Sequence, residues 1–255
     1  MTEASSHGTD SRDVGHKNRV VSSFDVLETL ASTRAIRRYT ADAIPDDDLA
    51  AIVFAGTRAP SGSNRQPFRF LVLRDGPRAA RAKAILGASF RAGWAAKRAA
   101  DAYDHGSGRT DDSPKARMAA TMQHYVDHIE QVPVVVLACL VRYRPPGPLE
   151  GASVYPACQN LLLAARCLGY GGVMTMWHQP VEDDLCELLS IPEGVAISAT
   201  ITLGRPAGRH GPVRRRPIGE LVFDDEWGAA APWASEPEET RHTSAGPPTG
   251  RNINA

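Results

Sequence analysis

Residues 153–168, SVYPACQNLLLAARCL, constrain this chain more than any other stretch. Val154, Ala157, Leu161, Ala165 and Leu168 recur on one helical face, and Cys158 and Leu162 widen the stripe until most of the circumference is apolar. A helix of that kind needs two buried faces, so it belongs at the centre of a core or in a subunit interface. Upstream, Val134–Val141 is continuously apolar, the pattern of a strand covered on both sides. Downstream, Gly169–Gly172 break the helix and Val173-Met174-Thr175-Met176-Trp177 reads as another strand. Val195, Ile197, Ala199, Ile201 and Leu203 alternate with small or polar residues, which predicts a half-buried strand stopped at Gly204. With Phe68–Leu73 these segments do not follow a regular βαβ alternation. The expected class is α+β, with a sheet containing 68–73, 134–141, 171–177 and 195–203.

Helices fill the remainder. Ser23 is placed to cap a helix through Phe24, Leu27 and Leu30 to about Ser32. Pro45 opens a second, with Asp46, Asp47 and Asp48 in its first turn; acids there complement the helix dipole, and a metal cluster is the alternative. Pro77 starts a helix through Leu86, a separate one spans about 90–103, and a third carries Met118, Met122, Tyr125 and Ile129 as a core stripe. Ile218 to Val222 is a possible last short strand. Residues 1–22 read as a disordered leader, 23–231 as the folded domain and 232–255 as a polar tail, disordered or laid on a partner subunit. His7 and His16 sit in the leader without ligand-spaced partners.

Lys plus Arg and Asp plus Glu both number 29, so no overall charge draws the chain to nucleic acid or an anionic membrane. No apolar run approaches the length that spans a bilayer, and the expected setting is the cytoplasm. Cys139, Cys158, Cys167 and Cys186 form no CxxC pair and read as reduced core residues. Basic residues that matter must therefore be local, and two clusters stand out: Arg34, Arg37 and Arg38 in TRAIRRY, and Arg214, Arg215 and Arg216 in PVRRRPI. Arginine suits a dianionic phosphate because its planar fork bonds two oxygens at once. Arg34 and Arg38 would share a face if the first helix continued through them. A third piece, Ala59 to Phe68 (APSGSNRQPF), sets small and amide-bearing residues between two prolines, a composition for irregular backbone with exposed N–H groups and side-chain amides.

These three pieces, in this order, resemble the nitroreductase family of FMN-dependent oxidoreductases. The likeness runs from about Phe24 to Trp227, and APSGSNRQPF is its most specific part. The resemblance implies a three-layer α/β/α sandwich with a mixed central sheet, assembled as a homodimer whose flavin sites are built from both chains. It implies that Arg34, Ala35, Arg37, Arg38, Arg214 and Arg216 surround the FMN phosphate. It further implies that Pro60, Ser61, Gly62, Asn64 and Gln66 lie against the flavin ring, that Met174, Thr175 and Met176 run past its face, and that Phe90, Trp94 and Tyr103, on variable helices near the flavin, are candidate walls of the substrate pocket. The chain departs from the family pattern at Thr33, often basic, at Ala35, often serine, and at Phe68, often tryptophan. NAD(P)H is then the co-substrate and a nitroaromatic or quinone-like small molecule the acceptor, reduced by ping-pong hydride transfer through flavin N5. No side chain is assigned a catalytic role, and His178, next to Pro180, reads as a loop histidine at a surface turn rather than a general acid. The alternatives are a flavoenzyme of the same fold with another reaction (dehalogenation, flavin fragmentation, dehydrogenation) and a flavin-sequestering protein without turnover.

Overall fold

The structure, a computed structural model, describes residues 26–110, 112–208, 213 and 215–236. The expected leader, Ser23, Phe24, Arg214 and all of the tail beyond residue 236 lie outside these. Among the described residues, strands β1 (Phe68–Leu73), β2 (Val134–Val141), β3 (Gly171–Thr175) and β4 (Val195–Gly204) form one sheet, in the order β1-β2-β4-β3. Every pairing between them is antiparallel, which corrects the expectation of a mixed sheet. A parallel contact enters only as an isolated bridge between Ala35 and Gly172. Among the described residues the α-helices are α1 (Val26–Ser32), α2 (Asp46–Thr57), α3 (Pro77–Ala100), α4 (Pro114–Asp127), α5 (Tyr155–Cys167) and α6 (Glu182–Leu189).

Alternation along the strands divides the core in two. Val134, Val136, Ala138, Ile201 and Leu203 pack with Ile52 of α2 and Ala157, Leu161 and Ala165 of α5. Val135, Leu137, Cys139, Val173 and Ile197 pack with Leu86, Phe90 and Trp94 of α3, Met122 and Tyr125 of α4, and Leu185 of α6. The central strands are thus buried on both faces, and β4 is not the half-buried strand its small and polar alternates suggest. Thr200 and Thr202 are 0% exposed. Cys139 and Cys158 are core residues whose thiols burial pushes up to about 12, so neither is a thiolate at neutral pH; Cys167 and Cys186 are only half-buried.

Two helical segments predicted to be separate form the single helix α3. Its buried stripe, Ala79, Ala82, Leu86, Phe90 and Trp94, keeps helical spacing straight through Gly87. Gly87 lies against Ile129, whose Cγ2 a Cβ there would meet at 3.0 Å. Phe90 and Trp94 are core residues rather than pocket walls. The three aspartates opening α2 diverge, Asp46 pairing with Arg74 at 2.7 Å and Asp48 accepting from the Tyr170 hydroxyl at 2.7 Å. Ile218–Glu220 is a turn of 3-10 helix, not a strand; no described strand pairs with it, and an unpaired strand would leave its peptide groups unsatisfied.

The β3–β4 pair is closely fitted. A Cβ on Gly172 would lie 2.5 Å from the Thr202 carbonyl oxygen, which is backbone and cannot turn away. Gly172→Ala is expected to cost about 1–3 kcal/mol as an overpacked core change, read as a lower midpoint in urea unfolding.

Candidate active site

The sequence-predicted site residues fall into two groups. In the first, the chain leaves α1 at Ser32 and becomes extended. Ala35 bridges Gly172, the Ile36 N–H donates to the Gly172 carbonyl at 2.9 Å, and Tyr39 bridges Pro206. The first helix does not continue through Arg34 and Arg38, so they do not share a helical face. Both are exposed, while Arg37 between them is half-buried. Segment 205–207 runs beside them, with the Thr40 N–H donating to the Arg205 carbonyl and the Ala207 N–H to the Arg38 carbonyl. The chain that leads toward the second basic cluster therefore passes the first at 205–207. Arg216 lies farther along, 3.3 Å from Glu220.

Met174 and Thr175 sit on β3 within a few residues of the Ala35–Gly172 bridge, half-buried, with Met176 following. The strand ends at Thr175 rather than Trp177 because the chain turns there. The Trp177 N–H donates to Thr175 Oγ1 at 3.3 Å and the Gln179 N–H to the Met176 carbonyl at 3.1 Å. This edge of the sheet thus carries the arginine-bearing segment beside residues 174–176.

The second group is the loop before β1. Its backbone is held by Ser61, whose Oγ accepts from the Gln66 N–H at 2.8 Å, and by Ser153, whose Oγ accepts from the Gly62 N–H at 3.2 Å. Ser63, Asn64 and Gln66 all have positive φ, 52°, 51° and 48°. Three non-glycine residues in the left-handed region within four positions is unusual backbone, of the kind that concentrates at ligand sites. Gln66 Nε2 donates to Asn64 Oδ1 at 3.2 Å, and residues 62–66 are exposed. Pro60 and Pro67 bound the loop, and buried Pro67 leads into β1.

The two groups stand far apart in one chain. The loop is tied to Ser153, just before α5, whereas α1 is tied to the far end of α5 through Arg166 Nε to Ser32 Oγ at 3.3 Å. From 153 to 166 a helix rises about 20 Å. The sheet agrees. Phe68 is registered through Leu140 to Ala196, and Gly172 to Leu203. The two corners are about 24 Å apart along the strands and about 14 Å across them.

His178 is not a surface residue. It is 0% exposed, with Nε2 2.7 Å from the Ile197 carbonyl. The register of β4 against β2 shifts at Ala138/Cys139, so Ser198 is an extra, bulged residue. A bulge disrupts the ladder locally. At this one the neighbouring Ile197 N–H donates to Glu182 Oε1 at 2.7 Å and its carbonyl receives His178. Burial holds the imidazole below its ordinary pKa, against the opposing pull of the Ile197 carbonyl, Glu182 and the Thr175 backbone. Among the described residues no group of three or more His, Cys, Asp or Glu is arranged to hold a metal ion, and no helix is long and apolar enough to cross a membrane.

The nitroreductase family model matches residues 30–205. A protein from Archaeoglobus fulgidus, provisionally named an NADH dehydrogenase/NAD(P)H nitroreductase, is 30% identical over 185 residues, 71% of this chain and 86% of its own. A Thermus thermophilus protein named NADH dehydrogenase is 27% identical over 216 residues, 78% of this chain and 95% of its own. Among solved structures, a provisionally named nitroreductase from Desulfovibrio desulfuricans in complex with FMN is 28% identical, with a TM-score of 0.57 over 80% of this chain and 98% of that one. By the family match across most of its length and by these relatives, this chain belongs to the nitroreductase family.

Proposed function

We propose that the protein is an FMN-dependent NAD(P)H oxidoreductase that reduces nitroaromatic or quinone-like acceptors. The observation that carries the reading is the pairing of an arginine-lined sheet edge with an exposed loop of strained, amide-bearing backbone, in a chain of this family. The residues fit the cofactor. Arg34, Arg37 and Arg38, with Arg214 and Arg216 from the C-terminal basic segment, supply charge-assisted donors to a phosphate dianion. Pro60, Ser61, Gly62, Asn64 and Gln66 present amides and N–H groups to a flat polar ring. Met174, Thr175 and Met176 offer a half-buried apolar surface beside it. When bound there, FMN would supply the hydride chemistry that couples NAD(P)H to the acceptor.

Assembly follows from the spacing of the two groups. A flavin whose phosphate lies among the arginines and whose ring meets the loop needs the loop of a second copy, because within one chain they stand at opposite ends of α5. An antiparallel pairing of α5 with its symmetry mate about a two-fold axis brings each loop to the other chain's arginines. That pairing also covers Leu162, Leu163 and Ala164, which one chain leaves half-exposed. The working unit in this reading is a homodimer with two sites, each closed by both subunits.

The deciding experiment is a visible spectrum of the purified protein, followed by anaerobic addition of NADH and of NADPH, with sedimentation on the same sample. Flavin absorbance bleached by a nicotinamide and restored by a nitroaromatic, in a dimer, is the expected result. A colourless protein that takes up no FMN rejects the cofactor assignment. A stable, flavin-loaded monomer rejects the shared site.

A further inference from the structure

Behind the arginine segment lies a set of linked hydroxyls, Tyr125 and Thr202 buried and Tyr39 half-buried. The Tyr39 hydroxyl is 2.5 Å from the Ile36 carbonyl and 2.8 Å from Thr202 Oγ1, with the Thr202 carbonyl at 3.2 Å. Tyr125, on α4, places its own hydroxyl 2.9 Å from the same Thr202 Oγ1. Tyr125 is 2% exposed and Thr202 0%. Burial raises the pKa of both phenols, so each keeps its proton. Because the carbonyl of Ile36 can only accept, the short bond assigns the Tyr39 proton to it. Thr202 then donates to the Tyr39 oxygen and receives the proton of Tyr125. The result is a directed chain from α4 through β4 to the peptide between Ile36 and Arg37, with every hydroxyl proton used.

We propose that Tyr125, Thr202 and Tyr39 are positioning residues for anion binding, setting the geometry of the arginine segment through Ile36. The proposal rests on the flavin reading above. Ile36 is gripped from both sides, its N–H by the Gly172 carbonyl and its carbonyl by Tyr39. Its side chain packs so closely on Gly171 that a Cβ there would come within 2.4 Å of Ile36 Cγ1. The Tyr39 ring in turn seats on Gly204, where a Cβ would meet Cδ1 at 2.9 Å. Arg34, Arg37 and Arg38 hang from this one clamped peptide or its immediate neighbours. A planar guanidinium forms its two bonds to a phosphate only from a defined direction. Fixing the backbone beforehand removes part of the ordering cost of binding. The hydroxyl chain also gives α4 a route to that site without touching the ligand.

The test compares FMN with riboflavin, which lacks the phosphate, on full-length protein freed of flavin, by quenching of flavin fluorescence. Thr202→Val removes the central hydroxyl at nearly constant shape, Thr202→Ser keeps it, and Tyr125→Phe cuts the link from α4. Thr202→Val and Tyr125→Phe are expected to weaken FMN about fivefold or more, the scale of one hydrogen bond, with riboflavin affinity unchanged and Thr202→Ser like the wild type. Equal losses for both ligands mean a merely structural role and overturn the proposal, as does unchanged FMN affinity in folded variants. If Thr202→Val does not fold, Tyr125→Phe carries the same comparison alone. A wild-type protein that binds neither ligand rejects the flavin reading itself, an outcome distinct from a failed preference between the two.

Discussion

Alanine at Arg34 and Arg38 together is expected to weaken FMN binding by on the order of 10²-fold or more while leaving the fold intact. Each charge-assisted hydrogen bond to a phosphate contributes roughly 1.5–3 kcal/mol, and every 1.4 kcal/mol is about tenfold in affinity. Both side chains are exposed at the edge of the sheet, so truncating them leaves no cavity. Arg205 is the control on the same edge. It stacks over the Tyr170 ring at 5.1 Å and lies 3.8 Å from Asp42, so Arg205→Ala should change FMN affinity little. Fluorescence titration of the flavin-free variants checks both statements. Unchanged retention in the double variant would show that the phosphate sits elsewhere. A loss that riboflavin shares equally would point instead to the ring.

The parts of this site that the sequence discloses are those whose chemistry is local. APSGSNRQPF shows itself as a loop because prolines and amides exclude regular backbone within a few residues, and TRAIRRY shows its charge. Neither shows where it points. Arg34 and Arg38 are four apart and invite a helical reading, but the pairing of Ala35 and Ile36 with Gly172 pulls the segment into extended form. That contact spans more than a hundred residues and leaves no periodic trace. The same blindness to distance hides the separation of the two groups, which order along the chain cannot express. Thr200 and Thr202 look like the wet face of a strand. In the fold both are buried, and Thr202 is satisfied by the Tyr39 and Tyr125 hydroxyls from segments far away in sequence. Tyr39 closes the arginine motif and Tyr125 sits in the α4 stripe, so both were in view, but only the fold brings their hydroxyls to one threonine.

Replacing His178 with glutamine is expected to flatten the loss of stability in acid while changing turnover only modestly. The folded protein holds this imidazole neutral, with its pKa below the ordinary value of 6.5, chiefly because burial disfavours the charged ring. Unfolded, the same ring titrates near that ordinary value. Above about pH 6.5 both states are neutral and the group adds no pH dependence. As pH falls through that point the unfolded chain takes up a proton that the folded one refuses. Stability therefore declines from there down to the folded pKa, below which both states are charged and the slope vanishes. Glutamine keeps a donor for the Ile197 carbonyl and cannot titrate, so its melting temperature should fall less between pH 8 and pH 5. Some slope should survive, since His124 is also held below its ordinary pKa by burial and by the nearby charges of His128 and Arg38. The kinetic half of the prediction follows from geometry. His178 Nε2 is committed to the bulge in β4 and the ring is closed off from solvent. A group in that position stabilises the turn after β3, and reaches a substrate only by unfolding it. Oxidation of the pre-reduced enzyme by a nitroaromatic, followed in a single turnover, separates the two roles. A fall of about 10²-fold or more with flavin still bound is the scale of a general acid, and it would put His178 in the chemistry. A rate within a few fold of wild type, beside the flattened acid limb, leaves it holding the bulge.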